Sequence, residues 1–283
     1  MHEEIQSLLD RAKLPPLSFD LLHQLGDENC NLDRVVESIS LDPSLTANLL
    51  RICNNSVFGS TEPISTVAEA VHRAGFKSVY MLATTLYGNS CYTGFASLHL
   101  DAKKLRRHSV SAAFYAKLVA EAAGLEGNSL FTAGLLHDIG KVVLAQTRTA
   151  LECDFYGPAS EGSLRREAEL FGMTHAEAGA LLLEKWNLPP SLVNAARHHH
   201  DPSRSGHFEQ IVACVRLGNL LCHSADHPEI ITGKEYADAS VVLDLHHSGY
   251  VELWRRQFEE LNILVTSLSD FGHQDQIAPK DCR

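Results

Sequence analysis

No run in this sequence approaches the roughly 18 consecutive apolar residues that a membrane-spanning helix needs. The opening Met1-His2-Glu3-Glu4 puts acids where a signal peptide has a basic start. The expectation is a cytoplasmic protein with no membrane partner. Basic residues are in deficit, 24 Lys and Arg against 35 Asp and Glu, for a formal net charge of -11. A field of that sign disfavours a phosphate backbone, so duplex DNA is not an expected partner. Alternating runs of Val, Ile, Thr and Tyr, the mark of half-buried strands, are nearly missing. Seven scattered cysteines include no Cys-x-x-Cys pair, which removes the common thiolate zinc and redox motifs and leaves them as reduced core filler. There is no internal repeat and no low-complexity segment.

What remains is a 283-residue chain, 45% hydrophobic and 21% charged, long enough to bury one large or two modest cores. Its apolar residues recur at helical spacing, and the expected fold class is all-α: a helical bundle with an N-terminal helical subdomain. Pro43 suits the first turn of a helix through Leu45, Leu49, Ile52 and Cys53. Ser65 can cap one through Val67, Ala70, Val71 and Ala74, with Gly75 as its stop and a further apolar segment over 79–86. Turn-forming residues over 88–98 mark a soft boundary between domains of residues 1–95 and 96–283, the latter with a frayed tail. Beyond it the pattern predicts helices near 101–123, 129–145, 163–171, 174–185, 190–200, 208–223 and 250–268.

Sixteen histidines are the unusual feature of the composition. Ala133-Gly134-Leu135-Leu136-His137-Asp138-Ile139-Gly140-Lys141 places His, Asp and Lys in a segment that is otherwise apolar nearly all round. A carboxylate there must be paired, protonated or bound to a cation. At 100° per residue, His108 lines up with Leu105, Ala112, Tyr115 and Val119, His175 with Gly179, Leu182 and Trp186, and His199 with Leu192 and Ala196. His200 shares a side with Val193 and Ala196, and Asn219 lies with Val212, Val215 and Cys222. One inward histidine is ordinarily a hydrogen-bonded core residue. Several on different helices, with an Asp beside one of them, form the nitrogen and oxygen set preferred by Fe, Mn, Zn or Ni. By contrast, Lys103, Lys104, Arg106 and Arg107 read as one wet side of a helix.

In order, His108, His137-Asp138, His175 and His199-His200 resemble the signature of the HD superfamily of metal-dependent phosphohydrolases. The sequence is most similar to the HDOD branch, through Leu14-Pro15-Pro16-Leu17, Ile39-Ser40-Leu41-Asp42-Pro43, Asn54-Asn55-Ser56, Ala133 to Lys141, Phe171 to Gly179, Trp186-Asn187-Leu188-Pro189 and His199-His200-Asp201-Pro202. The resemblance implies a helical HD-like domain behind the N-terminal subdomain and a role in bacterial signalling. It also implies a protein partner, and a half-site that in this branch often lacks residues needed for catalysis. The metal-ligand set it implies is His108, His137, Asp138, His175, His199 and His200, holding a divalent transition metal if one is bound.

Two departures bear on activity. The helix over 211–223 offers Asn219 where active HD enzymes carry a final Asp ligand, so a charged oxygen becomes a neutral amide. Lys104 stands where the branch cleaving cyclic di-guanylate often has Glu, and no Gly-Tyr-Pro follows His199-His200. The expectation is therefore a regulatory protein that acts by binding and keeps a partial metal site. The alternative is a phosphohydrolase acting on a phosphorylated small molecule or nucleotide, with Asp138 and Lys141 in the catalytic roles.

Overall fold

The protein is described by a computed structural model over residues 2–11, 32–40, 43–54, 64–75, 78–79, 81–85, 101–147, 153, 155, 157, 160–224, 226–245, 254 and 256. No strand occurs among the described residues. The chain runs through α1 (His2–Arg11), α2 (Leu32–Ser40), α3 (Pro43–Cys53), α4 (Val67–Ala74), α5 (Ala102–Ala122) and α6 (Gly127–Leu136). It continues through α7 (Ile139–Leu144), α8 (Glu161–Phe171), α9 (His175–Lys185), α10 (Pro190–His198), α11 (Glu209–His223) and α12 (Lys234–Val242). Among the described residues, no helix is long and apolar enough to cross a membrane.

Local chemistry sets these ends. Thr66, not the expected Ser65, caps α4: its hydroxyl accepts from the Glu69 N–H, and the Glu69 carboxylate accepts from the backbone of both Ser65 and Thr66. The same reciprocal box joins Thr174 to Glu177 at the start of α9, and Asp101 accepts the Lys104 N–H to start α5. The largest difference from expectation lies at 129–145, where the single predicted helix is two. A turn at His137-Asp138 separates α6 from α7, with Asp138 at φ -100° and ψ 10°. Leu32–Ser40 and Lys234–Val242 are helices that the periodicity did not single out. The boundary at 88–98 lies outside the described residues, as does the helix expected at 250–268 apart from Trp254 and Arg256.

Two apolar clusters organise the fold. The smaller joins Val35, Ile39, Leu49, Val67 and Leu82 to Val110, Ala113 and Phe114 of α5 and Phe131 of α6. Phe114 and Phe131 meet edge to face at 5.1 Å. The larger cluster gathers α5 through α11 around Ala116, Val119, Leu136, Leu182, Ala195 and Val215. It also takes in α1, through Ile5 and Leu9, with Asp10 paired to Lys185 at 2.7 Å. α5 is shared by both clusters.

Glycines bring backbones together where the site is built. A Cβ on Gly134 would lie 2.8 Å from the Ala113 Cα, and one on Gly218 would lie 2.7 Å from the Ala112 oxygen, so α6 and α11 both press directly on α5. A Cβ on Gly140 would lie 1.9 Å from the His175 carbonyl oxygen, so α7 crosses the first turn of α9 in backbone contact. Arg106, expected on a wet face, is only 2% exposed, whereas Lys103, Lys104 and Arg107 are exposed as predicted.

Candidate metal centre

The six predicted ligands come together in one pocket. His108 reaches in from α5, and His137 and Asp138 from the α6–α7 turn. His175 is the first residue of α9, and His199 and His200 follow the end of α10. Asp138 stands at the centre. Its Oδ2 lies 3.3 Å from the Nε2 of both His108 and His137, and its Oδ1 lies 3.3 Å from His175 Nε2 and 3.6 Å from His199 Nε2. Although Asp138 opens α7, its side chain makes no capping hydrogen bond and stays free to face the histidines.

Three of the imidazoles are fixed from behind. His137 Nδ1 lies 2.7 Å from the Gly134 carbonyl and His199 Nδ1 lies 2.8 Å from the Ala196 carbonyl. A carbonyl only accepts, so each Nδ1 carries a proton, and in the neutral ring the lone pair is the one on Nε2. His175 Nδ1 donates likewise to Glu167 Oε2 at 2.7 Å, and the same carboxylate oxygen accepts the His175 backbone N–H at 2.7 Å.

The 3.3 Å separations between Asp138 and the two histidines beside Oδ2 fall within ion-pair range. Even so, the Nε2 atoms of His108 and His137 and Oδ1 of Asp138 are buried without a hydrogen-bond partner. Lone pairs that converge without sharing a proton suit a common cation. Around an ion with bonds of about 2.1 Å, neighbouring ligand atoms lie about 3.0 Å apart in octahedral and about 3.4 Å apart in tetrahedral geometry. The spacings here match, including 3.4 Å between His175 Nε2 and His199 Nε2. The ligand atoms form two trios, His108-His137-Asp138 and His175-His199-His200, each drawn within 4.8 Å.

The electrostatics point the same way. Burial alone would raise the Asp138 carboxyl, but His137 and Lys141 carry it well below the usual range. Lys141 Nζ donates to Asp138 Oδ2 at 2.6 Å. Burial drives His199 and His200 well below the ordinary imidazole value and lowers His108 against the pull of Asp138. These rings are neutral at pH 7, the state a metal requires. Burial would lower His175 too, but Glu167 and Asp138 raise it.

Asn219 is 4% exposed, and its Oδ1 is buried without a partner. It lies on α11 between Arg216, whose NH1 is 3.2 Å from His200 Nδ1, and Cys222, whose Sγ is 3.4 Å from His108 Nδ1. The helix face holding Asn219 therefore touches both ends of the histidine cluster. Four residues here escaped the sequence reading. Glu167 orients His175, Arg216 touches His200, Cys222 meets His108, and His223 lies with its ring 4.8 Å from that of His108. Glu167 shares a helical stripe with Leu164 and Phe171, so its inward position is legible in the spacing.

Comparison with known proteins places this pocket in a family. An uncharacterized protein of Treponema pallidum is 25% identical over 223 residues, covering 77% of this chain and 43% of that protein. The chain thus spans less than half the length of the curated relatives it matches. A Shewanella amazonensis structure provisionally named a phosphohydrolase superposes with a TM-score of 0.72 at 20% identity, over 94% of this chain and 96% of that one. A Marinobacter aquaeolei structure provisionally named a signal transduction protein gives 0.70 at 21% identity, over 95% and 65%. At these identities the likeness is one of fold. The HDOD domain model matches residues 12–202, a stretch that contains all six clustered residues, and the chain belongs to the HDOD domain family.

Proposed function

We infer that this HDOD protein is a signalling module that works by binding. In this reading the HD-like half holds one divalent transition metal on Asp138, with ligands from His108, His137, His175 and His199, and the N-terminal helices meet a protein partner. The observation carrying the reading is the charge of the pocket. Asp138 is the lone carboxylate among the clustered ligands, and the ammonium of Lys141 already neutralises its Oδ2. Where a second anionic oxygen would help, α11 offers the neutral Asn219. Two adjacent dications need more negative charge than this to offset their mutual repulsion. One ion is compatible with it, and it would tie α5, the α6–α7 turn and α9 together.

A phosphohydrolase is the second reading, and one observation favours it: each oxygen of Asp138 faces a different pair of histidines, Oδ2 toward His108 and His137 and Oδ1 toward His175 and His199. A bound metal would then supply an activated water and polarise a phosphoryl oxygen. Lys141 would steady the anionic substrate, and Glu167 would keep His175 in its ligating tautomer. Protein purified without a nickel column, analysed for metal and assayed on p-nitrophenyl phosphate and its diester, separates the two readings. The expected result is bound metal at one ion or fewer per chain, with absent or slow turnover. A robust rate abolished by His137→Ala would transfer the conclusion to the enzyme.

A further inference from the structure

Arg216 is 4% exposed, and it reaches His200 from the side away from the ligand cluster, with NH1 3.2 Å from Nδ1. A guanidinium has donors and no acceptor, so His200 Nδ1 must present its lone pair to it. A neutral imidazole has one N–H, which therefore sits on Nε2. That nitrogen lies 2.9 Å from His175 Nε2. The Nδ1–H of His175 is committed to Glu167, so in the neutral ring Nε2 keeps a lone pair to accept with. With both rings neutral each proton has one place, in a directed chain from Arg216 through His200 and His175 to Glu167. His137 and His199, set by backbone carbonyls, turn lone pairs toward Asp138. His200, set by a cation, turns a proton toward His175 Nε2 instead.

We propose that Arg216 is a latch on the metal pocket: seated on His200, it keeps that histidine out of the ligand set, occupies the His175 lone pair with the His200 N–H, and so closes the His175-His199-His200 trio to a cation until the guanidinium withdraws. This rests on the metal reading above and adds a regulatory element to it. The latch has somewhere to go. Arg216 and His200 line a cavity of about 350 Å³ whose wall also holds Asp201, Glu209, Glu235 and Asp238. Glu235, on the exposed side of α12, already pairs with the guanidinium. A guanidinium withdrawn into that cavity stays among carboxylates, while His200 is released to move its proton to Nδ1 and offer Nε2 as a ligand. Arg216 would be a positioning residue, acting on the ion only through His200.

The test combines tautomers with affinity. Long-range ¹H–¹⁵N correlation of the histidine rings in metal-stripped wild type should show His200 protonated on Nε2 and His137 and His199 on Nδ1. Finding His200 protonated on Nδ1 overturns the latch whether or not any variant folds. Arg216→Met, which frees the exposed Glu235 and the Nδ1 of His200, should bind Co²⁺ about tenfold tighter, the scale of outer-sphere effects on metal sites. The Arg216→Met/His200→Ala double variant should lose that gain. A gain that persists in the double variant reflects removal of a nearby positive charge and overturns the tautomer mechanism. Co²⁺ binding without any gain in Arg216→Met refutes the latch alone, while no Co²⁺ binding by either protein refutes the metal reading and the latch with it.

Discussion

Replacing Gly140 by Ala should damage stability and metal affinity together. The added Cβ would lie 1.9 Å from the His175 carbonyl oxygen and 2.5 Å from the Gly179 nitrogen, both backbone atoms that cannot rotate away. To restore even a tight contact of about 3.0 Å, α7 and α9 must part by about 1 Å, and strain of this kind in a close-packed interior costs about 3 kcal/mol. The same displacement acts between Asp138, two residues before Gly140, and His175, whose carbonyl is the atom struck. It would widen their 3.3 Å ligand separation to about 4.3 Å. An ion with bonds of about 2.1 Å cannot bridge ligands more than about 4.2 Å apart, so the pair would be lost as joint ligands. Urea unfolding gives the stability term and Co²⁺ titration the affinity term. Gly179→Ala is a graded control: its Cβ would lie 3.1 Å from the Gly140 nitrogen, so adjustment by a few tenths of an ångström should suffice and the loss should be about 1 kcal/mol. Wild-type stability and Co²⁺ affinity in Gly140→Ala would refute the claim that backbone contact between α7 and α9 sets the ligand spacing.

Asn219→Asp keeps the side-chain shape and adds an anionic oxygen on the α11 face that spans the pocket. At an effective dielectric of about 20, a charge within about 5 Å of a dication contributes a few kcal/mol, so Mn²⁺ should bind about tenfold tighter or better by calorimetry. Equal affinities would mean that Asn219 is not a ligand position. Glu167→Gln puts an amide where one carboxylate oxygen takes both the ring and the backbone N–H of His175; stability should fall by about 1–3 kcal/mol and Co²⁺ affinity by about tenfold or more. The metal-free protein should lose stability as pH falls from about 7 to 5, which urea unfolding across that range would measure. Burial holds His199 and His200 well below their unfolded value and takes His223 down to about 3, so each binds its proton more readily unfolded, and their contribution is present above pH about 6.5 and lost below it. His175 is raised and acts in the opposite sense, with stability present below its unfolded value and lost as pH rises through the folded one. His108, lowered by burial, acts in the same sense as His199, His200 and His223, and stability that is flat or rising toward pH 5 would contradict the dominance of these depressed rings.

The sequence exposed the clustered histidines because helical spacing is a local property. His108, His175 and His199 each stand on a stripe of apolar neighbours, and only a buried role explains a histidine in such a stripe. Other features depended on contacts distant in sequence. Arg106 reads as one member of a basic surface run, but the packing around α5 buries it. The break at His137-Asp138 carries no proline and no capping side chain, so nothing in the one-dimensional pattern interrupts the apolar run. α12 joins the bundle mainly through Ala239 and Ser240, too few positions to set a period. Arg216 sits in the run Cys214-Val215-Arg216-Leu217, where a lone charge reads as a surface residue until His200 and Glu235 appear on either side of it.

The sharing of α5 between the two clusters has a mechanical consequence. His108 lies on the side facing the histidine pocket, while Val110, Ala113 and Phe114 belong to the N-terminal cluster. Pocket and N-terminal cluster are thus two sides of one rod, offset by about 3 to 9 Å along its axis. Gly134 and Gly218 clamp that rod against α6 and α11 with no side chain between the backbones, which denies it rotation about its own axis. A load applied to the N-terminal helices can reach His108 only as a slide or tilt of the whole rod. The two halves therefore share their strain as machined parts on one shaft do, and neither can be displaced while the other stays in register.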